Sequence, residues 1–220
     1  MNSKKQESYR ILYTDSSEIQ TFTGEIVEKK SRFIASVRKV ESEAEAVAFI
    51  EEMKKRYYDA RHNCSAFVIG SHAELTRCSD DGEPSGTAGR PMLEVLLGSE
   101  IRNVAAVVTR YFGGVLLGTG GLVRAYTQAL QEALKECPTA MMQYGKRIEV
   151  DTDYNNIGKI LYFMGQNGLT QESSEYTDKV SLVVLVPGDM ADYFCKEITE
   201  LTAGRSTTTV LEEVFYPVPE

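Results

Sequence analysis

The chain has 220 residues, of which 42% are hydrophobic and 25% charged, and its formal net charge at pH 7 is −8. These values are typical of a globular protein of one large or two small domains, and the charge argues against broad coating of nucleic acid. No apolar run reaches the roughly 18 residues that predict a membrane span. The polar segment Met1–Arg10 is not expected to be a secretory signal. We therefore expect a cytoplasmic protein without a membrane partner.

The cysteine and histidine content argues against a structural metal site. The four cysteines lie far apart and form no CxxC pair, and the chain has only two histidines, so neither zinc-ligand nor redox spacing is present. We expect free thiols, no metal and no cofactor.

The charges and one proline indicate two domains. Residues 1–137 carry 18 basic and 19 acidic side chains, whereas residues 138–220 carry 6 and 13. A long helical pattern ends at Cys137, and Pro138 cannot continue it. We place the boundary there, with domains at 1–137 and 138–220, and a local basic face remains possible in the first.

The first half is predicted to alternate strands and helices. Ser42 and Glu45 form a capping box that opens a helix whose apolar face extends to Tyr57. The continuous apolar run at 104–108 is expected of a central strand covered on both faces. The other predicted elements are strands at 23–28, 32–40 and 64–69, a helix at 91–97, and a strongly amphipathic helix after Gly120-Gly121.

The second half is predicted to be strand, helix, strand, strand, helix, strand. Asp153 and Asp189 are expected to cap its two helices, with glycines at 165, 168 and 204 at their ends. The strands are expected at 146–151, 169–176, 180–186 and 206–215. This order is the split βαβ, ferredoxin-like arrangement, so the fold class is α+β.

A glycine-rich loop between the buried strand and the strong helix is a candidate anion site. Glycines allow close backbone approach, and the free N–H groups of the helix attract negative charge. Arg110 and Arg124 flank the loop and are able to pair with phosphate. It is neither a Walker A motif nor GxGxxG, and a tight strand-to-helix connection is the alternative. The candidate loop residues are Gly113, Gly114, Gly118, Thr119, Gly120 and Gly121.

Two further segments contain reactive side chains. Asp80, Asp81 and Glu83 lie within four residues and are suited to a hard cation or to acid–base work, but a turn paired to Arg77 or Arg90 is favoured. Arg61, His62 and Cys64 are possible accessory residues, although a packed histidine is more common than a Cys–His nucleophilic pair.

Aromatic residues precede the glycines. Tyr111 and Phe112 follow Arg110, a combination suited to stacking on bases, with burial at a strand end as the alternative. Because Arg110 ends a buried strand and Gly120 opens a helix, we expect the loops at 80–90 and 110–124 to converge on one concave surface. Arg90 is expected to contribute to it.

Two long motifs carry a family resemblance. The segments 79–91 (SDDGEPSGTAGRP) and 107–126 (VVTRYFGGVLLGTGGLVRAY), with Arg61-His-Asn-Cys64, resemble the signatures of the IMPACT/YigZ family. The resemblance implies an N-terminal fold like the second domain of a small-subunit ribosomal protein, seen also in domain IV of elongation factor G. It also implies a ferredoxin-like C-terminal domain. Because eukaryotic members of this family regulate translation initiation, the resemblance implies a role in translation.

Three functional hypotheses follow. The first is a translation-associated protein that engages RNA, the ribosome or a translation factor through the N-terminal domain, with no DNA partner expected. The second is an enzyme acting on a phosphorylated small molecule or nucleotide, and the third is a protein-binding adaptor in translational regulation. Salt dependence separates the first from the other two, because phosphate contacts weaken steeply with salt.

Overall fold

The structure is a computed structural model that describes residues 8–13 and 19–219. Most of the Met1–Arg10 segment therefore lies outside the described residues. The fold is mixed α+β, and the described residues form two sheets and five helices. The helices are α1 Glu43–Arg56, α2 Gly89–Gly98, α3 Thr119–Lys135, α4 Ile157–Gln166 and α5 Ala191–Leu201. Within this part of the chain, no helix is long and apolar enough to cross a membrane.

The strands alternate with these helices along the chain. They are β1 Tyr9–Leu12, β2 Thr21–Glu28, β3 Ser31–Lys39, β4 His62–Ile69, β5 Leu75–Ser79, β6 Ile101–Arg102, β7 Val104–Tyr111, β8 Thr139–Thr152, β9 Gln171–Tyr176, β10 Val180–Pro187 and β11 Thr207–Pro219. The chain divides into two compact units, which are mainly Tyr9–Met141 and Met142–Tyr216. We call them the larger and the smaller unit.

The larger unit is built on a five-stranded sheet with the strand order β2-β3-β7-β4-β5. All neighbours in this sheet are antiparallel, and β1 pairs in parallel with β6. One face packs against α1 and the other against α2 and α3. The sequence misses the short β1, β5 and β6, because none of them has an alternating apolar pattern.

The prediction of a central strand covered on both faces is confirmed by β7. Ala105 and Val107 pack in the cluster that contains α1, whereas Ala106 and Val108 pack in the cluster that contains α2 and α3. All four are fully buried. One half of the capping box is confirmed, because the Ser42 hydroxyl accepts a hydrogen bond from the Glu45 backbone N–H at 3.3 Å. The Glu45 carboxylate accepts from the Glu41 backbone N–H at 2.9 Å, one residue before the expected donor.

A two-residue turn joins β2 to β3, and both of its residues are lysines. Lys29 and Lys30 have φ angles of 45° and 67°, the left-handed conformation that type I′ hairpin turns require at both central positions. For residues other than Gly, Asn and Asp this conformation costs about 1–2 kcal/mol per residue. The turn is therefore strained where Asn-Gly would be favourable.

The smaller unit contains α4 and α5 and the strands β8 to β11. β10 lies antiparallel between β8 and β9, and β11 pairs with β8. Alternate β10 residues, from Val180 to Val186, are buried in a core with Ile160, Met164, Phe194 and Ile198 of the helices.

Two predicted helix caps are wrong. Asp153 accepts hydrogen bonds from the backbone N–H groups of Asn155 and Asn156 at 2.9 Å, and thus closes the turn before α4, whose N-cap is Asn156. The N-cap of α5 is Met190 rather than Asp189. In both cases at least one further residue separates the aspartate from the helix. Gly204 ends α5 as expected, with φ of 73° and its N–H bonded to the Thr199 carbonyl.

We expect the two predicted domains to fold as separate fragments, because each unit has its own buried core. A fragment that ends at Met141 should be more stable than one that ends at Cys137 by about 1 kcal/mol, since it keeps the Pro138 carbonyl that accepts from the Tyr13 N–H at 2.9 Å. Urea denaturation of fragments 1–137, 1–141 and 138–220 measures this. Non-cooperative unfolding of both halves would mean that the boundary is misplaced.

Candidate functional site

The end of β7 and the start of β4 meet the loop between β5 and α2. The antiparallel register pairs His62 with Arg110 and Asn63 with Thr109, so both strands contribute polar residues to one end of the sheet. The Thr109 hydroxyl donates to the Asn63 side-chain oxygen at 2.6 Å. The loop 79–89 folds back over this end, and each of its three carboxylates makes contacts there.

Asp80 holds the start of α2. Its carboxylate accepts hydrogen bonds from the backbone N–H groups of Gly86, Ala88 and Gly89 at 2.8, 3.0 and 2.8 Å. The N-cap residue, Ala88, has no side-chain cap of its own. Burial alone would raise the pKa of Asp80, but these three N–H groups hold it below its ordinary value. Asp80 is therefore a structural acceptor at a helix N-terminus.

Asp81 fixes the two residues at the start of β4. Its carboxylate accepts from the Asn63 backbone N–H at 2.7 Å, and its own backbone has a left-handed φ of 43°. Its carbonyl oxygen lies 2.9 Å from Nδ1 of His62. Because a carbonyl only accepts, Nδ1 must donate, and a neutral His62 then keeps its Nε2 as an acceptor.

Glu83 is buried and joins two segments that are distant in the sequence. One of its carboxylate oxygens accepts from Nη1 of Arg110 at 2.7 Å and from the Tyr126 hydroxyl at 2.8 Å. Glu83 and Arg110 are only 8% and 6% exposed. A buried ion pair of this kind is costly to break, because the remaining charge is left without a partner.

Arg110 therefore lies inside the larger unit, which corrects its expected place as a surface phosphate ligand. Its guanidinium carbon is 5.5 Å from the ring centroids of both Phe33 and Phe112. Its Nε is buried and has no hydrogen-bond partner among the described residues. The sequence does not identify the pairing with Glu83, because it does not show which acid reaches which base.

Cys64 is not placed as a nucleophile. It is fully buried, and its thiol donates to the Asp80 carbonyl at 3.0 Å. Burial raises the pKa of the Cys64 thiol to about 12, although its hydrogen bond with Tyr126 acts in the opposite direction. The thiolate that nucleophilic chemistry needs is therefore scarce at neutral pH. All four cysteines are free thiols.

The glycine-rich loop leaves β7 at the surface. Gly113 packs so tightly on the β2–β3 turn that an added Cβ would lie 2.0 Å from the Lys30 carbonyl carbon. Its N–H donates to the Ser31 hydroxyl at 3.1 Å. Further along, Gly114 and Gly118 have positive φ, and Gly114, Gly118 and Gly120 face open space. Thr119 and Gly120 are exposed in the first turn of α3, and Gly121 packs on Leu117.

Aromatic and apolar side chains are exposed along this loop. Phe112 is 50% exposed, Val115 is 42% exposed and Leu116 is 81% exposed. Tyr111 donates its hydroxyl to Asp59 at 2.7 Å, and this hydrogen bond raises the pKa of Tyr111. Gly118 is the N-cap of α3 and provides no side-chain cap for the first N–H groups of the helix.

The remaining predicted cations differ in their partners. Arg124 and Arg61 are exposed and form no side-chain hydrogen bond or ion pair with another described residue. Arg90 is exposed and pairs with Glu94 of the same helix at 3.0 Å. Glu83 of the first loop contacts Arg110 at the start of the second, but this contact is buried, and the concave surface expected from the two loops stays a prediction. Within the described ranges, no group of three or more His, Cys, Asp or Glu side chains is placed to hold a metal.

Sequence reasoning missed several contributors. Ser31 carries no signal of a functional role, whereas Asn63 and Tyr126 lie within the motifs and Asp59 lies two residues before one, without being predicted as site residues. A tyrosine in an otherwise aliphatic helical face is a usable signal, because a buried hydroxyl needs a partner. The contacts of Ser31 and Asp59 span 82 and 52 residues and leave no local pattern.

The fold and the site define a two-unit α+β protein whose polar constellation lies in the larger unit. Residues 29–134 match the Impact N-terminal domain, and residues 150–205 match a domain of unknown function, DUF1949. The chain belongs to the IMPACT family.

Relatives match over most of the chain. IMPACT family member YvyE of Bacillus subtilis is 41% identical over 182 residues, which are 83% of this chain and 84% of that protein. IMPACT family member YigZ of Escherichia coli is 36% identical over 84% of this chain and 92% of its own length. A crystal structure described as that of a hypothetical protein is 34% identical, with a TM-score of 0.58 over 94% of this chain and 98% of that one.

We expect Asp80→Ala to lower the free energy of unfolding by about 2 kcal/mol at pH 7, because three N–H groups lose a charged acceptor. The folded-state pKa of Asp80 is depressed, so its contribution is present above the ordinary value of 3.8 and is lost as the pH falls through the folded value. Urea denaturation at pH 7 and pH 3 should show the deficit shrinking in acid. A deficit equal at both pH values would contradict this role, and Asp178→Ala is an exposed control.

We expect Arg110→Ala to destabilise the protein by about 3–5 kcal/mol, since it leaves Glu83 buried without its cation. The double variant Arg110→Met with Glu83→Gln should recover much of this loss, because no charge is left buried and the introduced amide keeps an acceptor for the Tyr126 hydroxyl. Thermal denaturation followed by circular dichroism compares the two. A melting temperature of Arg110→Ala equal to that of the wild type would show that the pair is dispensable.

Proposed function

We propose that this protein acts in translation in the cytoplasm, by binding RNA through the exposed loop 112–118 and the first turn of α3. The observation that carries the proposal is the open glycine-rich backbone beside an exposed Arg124 and a half-exposed Phe112. Free helix N–H groups and an arginine suit phosphate, and an aromatic ring suits an unstacked base. No membrane or DNA partner belongs to the proposal.

The chemistry of the neighbouring residues favours binding over catalysis. The carboxylates of Asp80, Asp81 and Glu83 are all engaged with backbone or side-chain partners inside the unit. Cys64 is buried and held in its thiol form. The carboxylates and the thiol that an enzyme acting on a phosphorylated substrate would use thus stabilise the fold instead. The exposed residues of the loop, by contrast, are of the types that form binding surfaces.

One observation favours a protein partner as a second candidate. Leu116 is 81% exposed and Val115 is 42% exposed at the outer part of the same loop. Exposed apolar side chains next to each other are more typical of protein interfaces than of phosphate contacts. An adaptor of translational regulation would bind with little dependence on salt, whereas an RNA contact weakens as salt rises.

We infer the detailed folds of the units from the same considerations. The strand order β11-β8-β10-β9 with α4 and α5 on one face supports a ferredoxin-like, split βαβ smaller unit. For the larger unit we propose the fold of the second domain of a small-subunit ribosomal protein. Both folds occur in proteins of translation, which agrees with the proposed role, but a shared fold alone is not evidence for a shared function.

We expect Arg124→Ala to weaken RNA binding without changing the melting temperature, because Arg124 is exposed and its side chain forms no hydrogen bond or ion pair with another described residue. The loss should be about 1.5–3 kcal/mol if the arginine makes a charged hydrogen bond to phosphate. Fluorescence anisotropy with a labelled single-stranded RNA of about 16 nucleotides across a KCl series measures the affinity and its salt slope. The slope should fall by about 0.7 for one lost phosphate contact.

The matched control is Arg205→Ala, which removes one exposed arginine from the smaller unit. Equal effects of the two variants would mean that only net charge matters. Absence of measurable RNA binding by the wild type at low salt would refute the RNA proposal and leave the protein-partner candidate.

A further inference from the structure

We propose that the Lys29–Lys30 turn belongs to the same binding site and that its two ammonium groups contact the phosphates of single-stranded RNA. This inference rests on the proposed function and extends it to a segment without a motif. The turn is far from the glycine-rich loop in the sequence, yet it lies against that loop in the structure.

The backbone of the turn is the first observation. Both lysines have left-handed φ angles, 45° and 67°, in a two-residue connection where Asn-Gly fits with less strain. No hydrogen bond or ion pair of either side chain within the described residues compensates for this. Strain of this kind at an exposed position is a reason to look for a role of the side chains.

The second observation is that the turn and the loop are in direct backbone contact. The Gly113 position leaves no room for a side chain, because an added Cβ would meet the carbonyl carbon of Lys30 at 2.0 Å and the nitrogen of Ser31 at 2.4 Å. The Ser31 hydroxyl accepts from the Gly113 N–H at 3.1 Å. The turn and the first part of the loop are thus one surface.

The third observation concerns which cations near this surface remain available. Arg32, which pairs in register with Tyr111, is engaged by Glu25 at 2.6 Å. Arg110 is buried against Glu83. Lys29 and Lys30 are exposed and have no such partner among the residues described. They supply positive charge that the neighbouring arginines do not, and a strand of phosphates extends over several such contacts.

The test is the double variant Lys29→Asn with Lys30→Gly. Because Asn-Gly is favoured in this turn, the melting temperature should stay the same or rise, while the affinity for the same labelled RNA should fall about tenfold in about 100 mM KCl. The slope of log K against log[KCl] should fall by about 1.4, the value for two phosphate contacts on a single strand. Lys29→Arg with Lys30→Arg should keep the affinity.

A charge-matched control distinguishes a contact from a change in net charge. Lys159→Asn with Lys196→Asn removes two exposed lysines from the smaller unit and should leave the affinity nearly unchanged. If the turn variant binds like the wild type, or no more weakly than this control, the inference is overturned. If Arg124→Ala weakens binding while the turn variant does not, only the inference fails. If the wild type does not bind the RNA, both proposals fail.

Discussion

The contact of Glu83 with Arg110 and Tyr126 is the interaction on which the site depends. It joins the loop before α2 to the end of the central strand and to the first turns of α3. Removal of either charge would leave the other buried, so the three segments are held in one arrangement. Asp80 and Asp81 extend this arrangement to α2 and β4. The three carboxylates of this loop thus mainly hold the surrounding backbone and side chains in position.

In this arrangement the three carboxylates have hydrogen-bond partners inside the unit, whereas the loop after β7 is exposed. Inside, each carboxylate has a defined partner, and the Cys64 thiol and Tyr126 hydroxyl are buried. Outside, Gly114, Gly118 and Gly120 face open space, and Phe112 and Arg124 are exposed. The C-terminal part of the chain contributes little positive charge, since residues 138–220 carry 6 basic and 13 acidic side chains. A polyanion is therefore better accommodated on the larger unit.

The sequence predicted the elements with strong local patterns and missed those decided by distant contacts. The apolar run of β7, the periodic face of α3 and the Ser42 capping box were all recognisable, because each pattern is complete within a few residues. Asp189 misses the N-cap of α5 by one residue, within the usual uncertainty of helix ends, whereas Asp153 closes a turn that the sequence does not distinguish from a cap. The sequence predicts Arg110 at the surface, because its partner Glu83 is 27 residues away and leaves no local pattern. The contact of Ser31 with Gly113 spans 82 residues and had no sequence signal.

The double burial of β7 has a consequence for how the protein opens locally. Amide hydrogens in a strand covered on both faces exchange with solvent only when the whole unit unfolds, whereas those of an uncovered loop exchange in the native state. The change from slow to fast amide exchange must occur within a few residues after Tyr111. The Gly113 N–H is still hydrogen-bonded to the Ser31 hydroxyl. The loop after β7 is therefore able to change conformation when it meets a partner, while the strand that it leaves keeps its position.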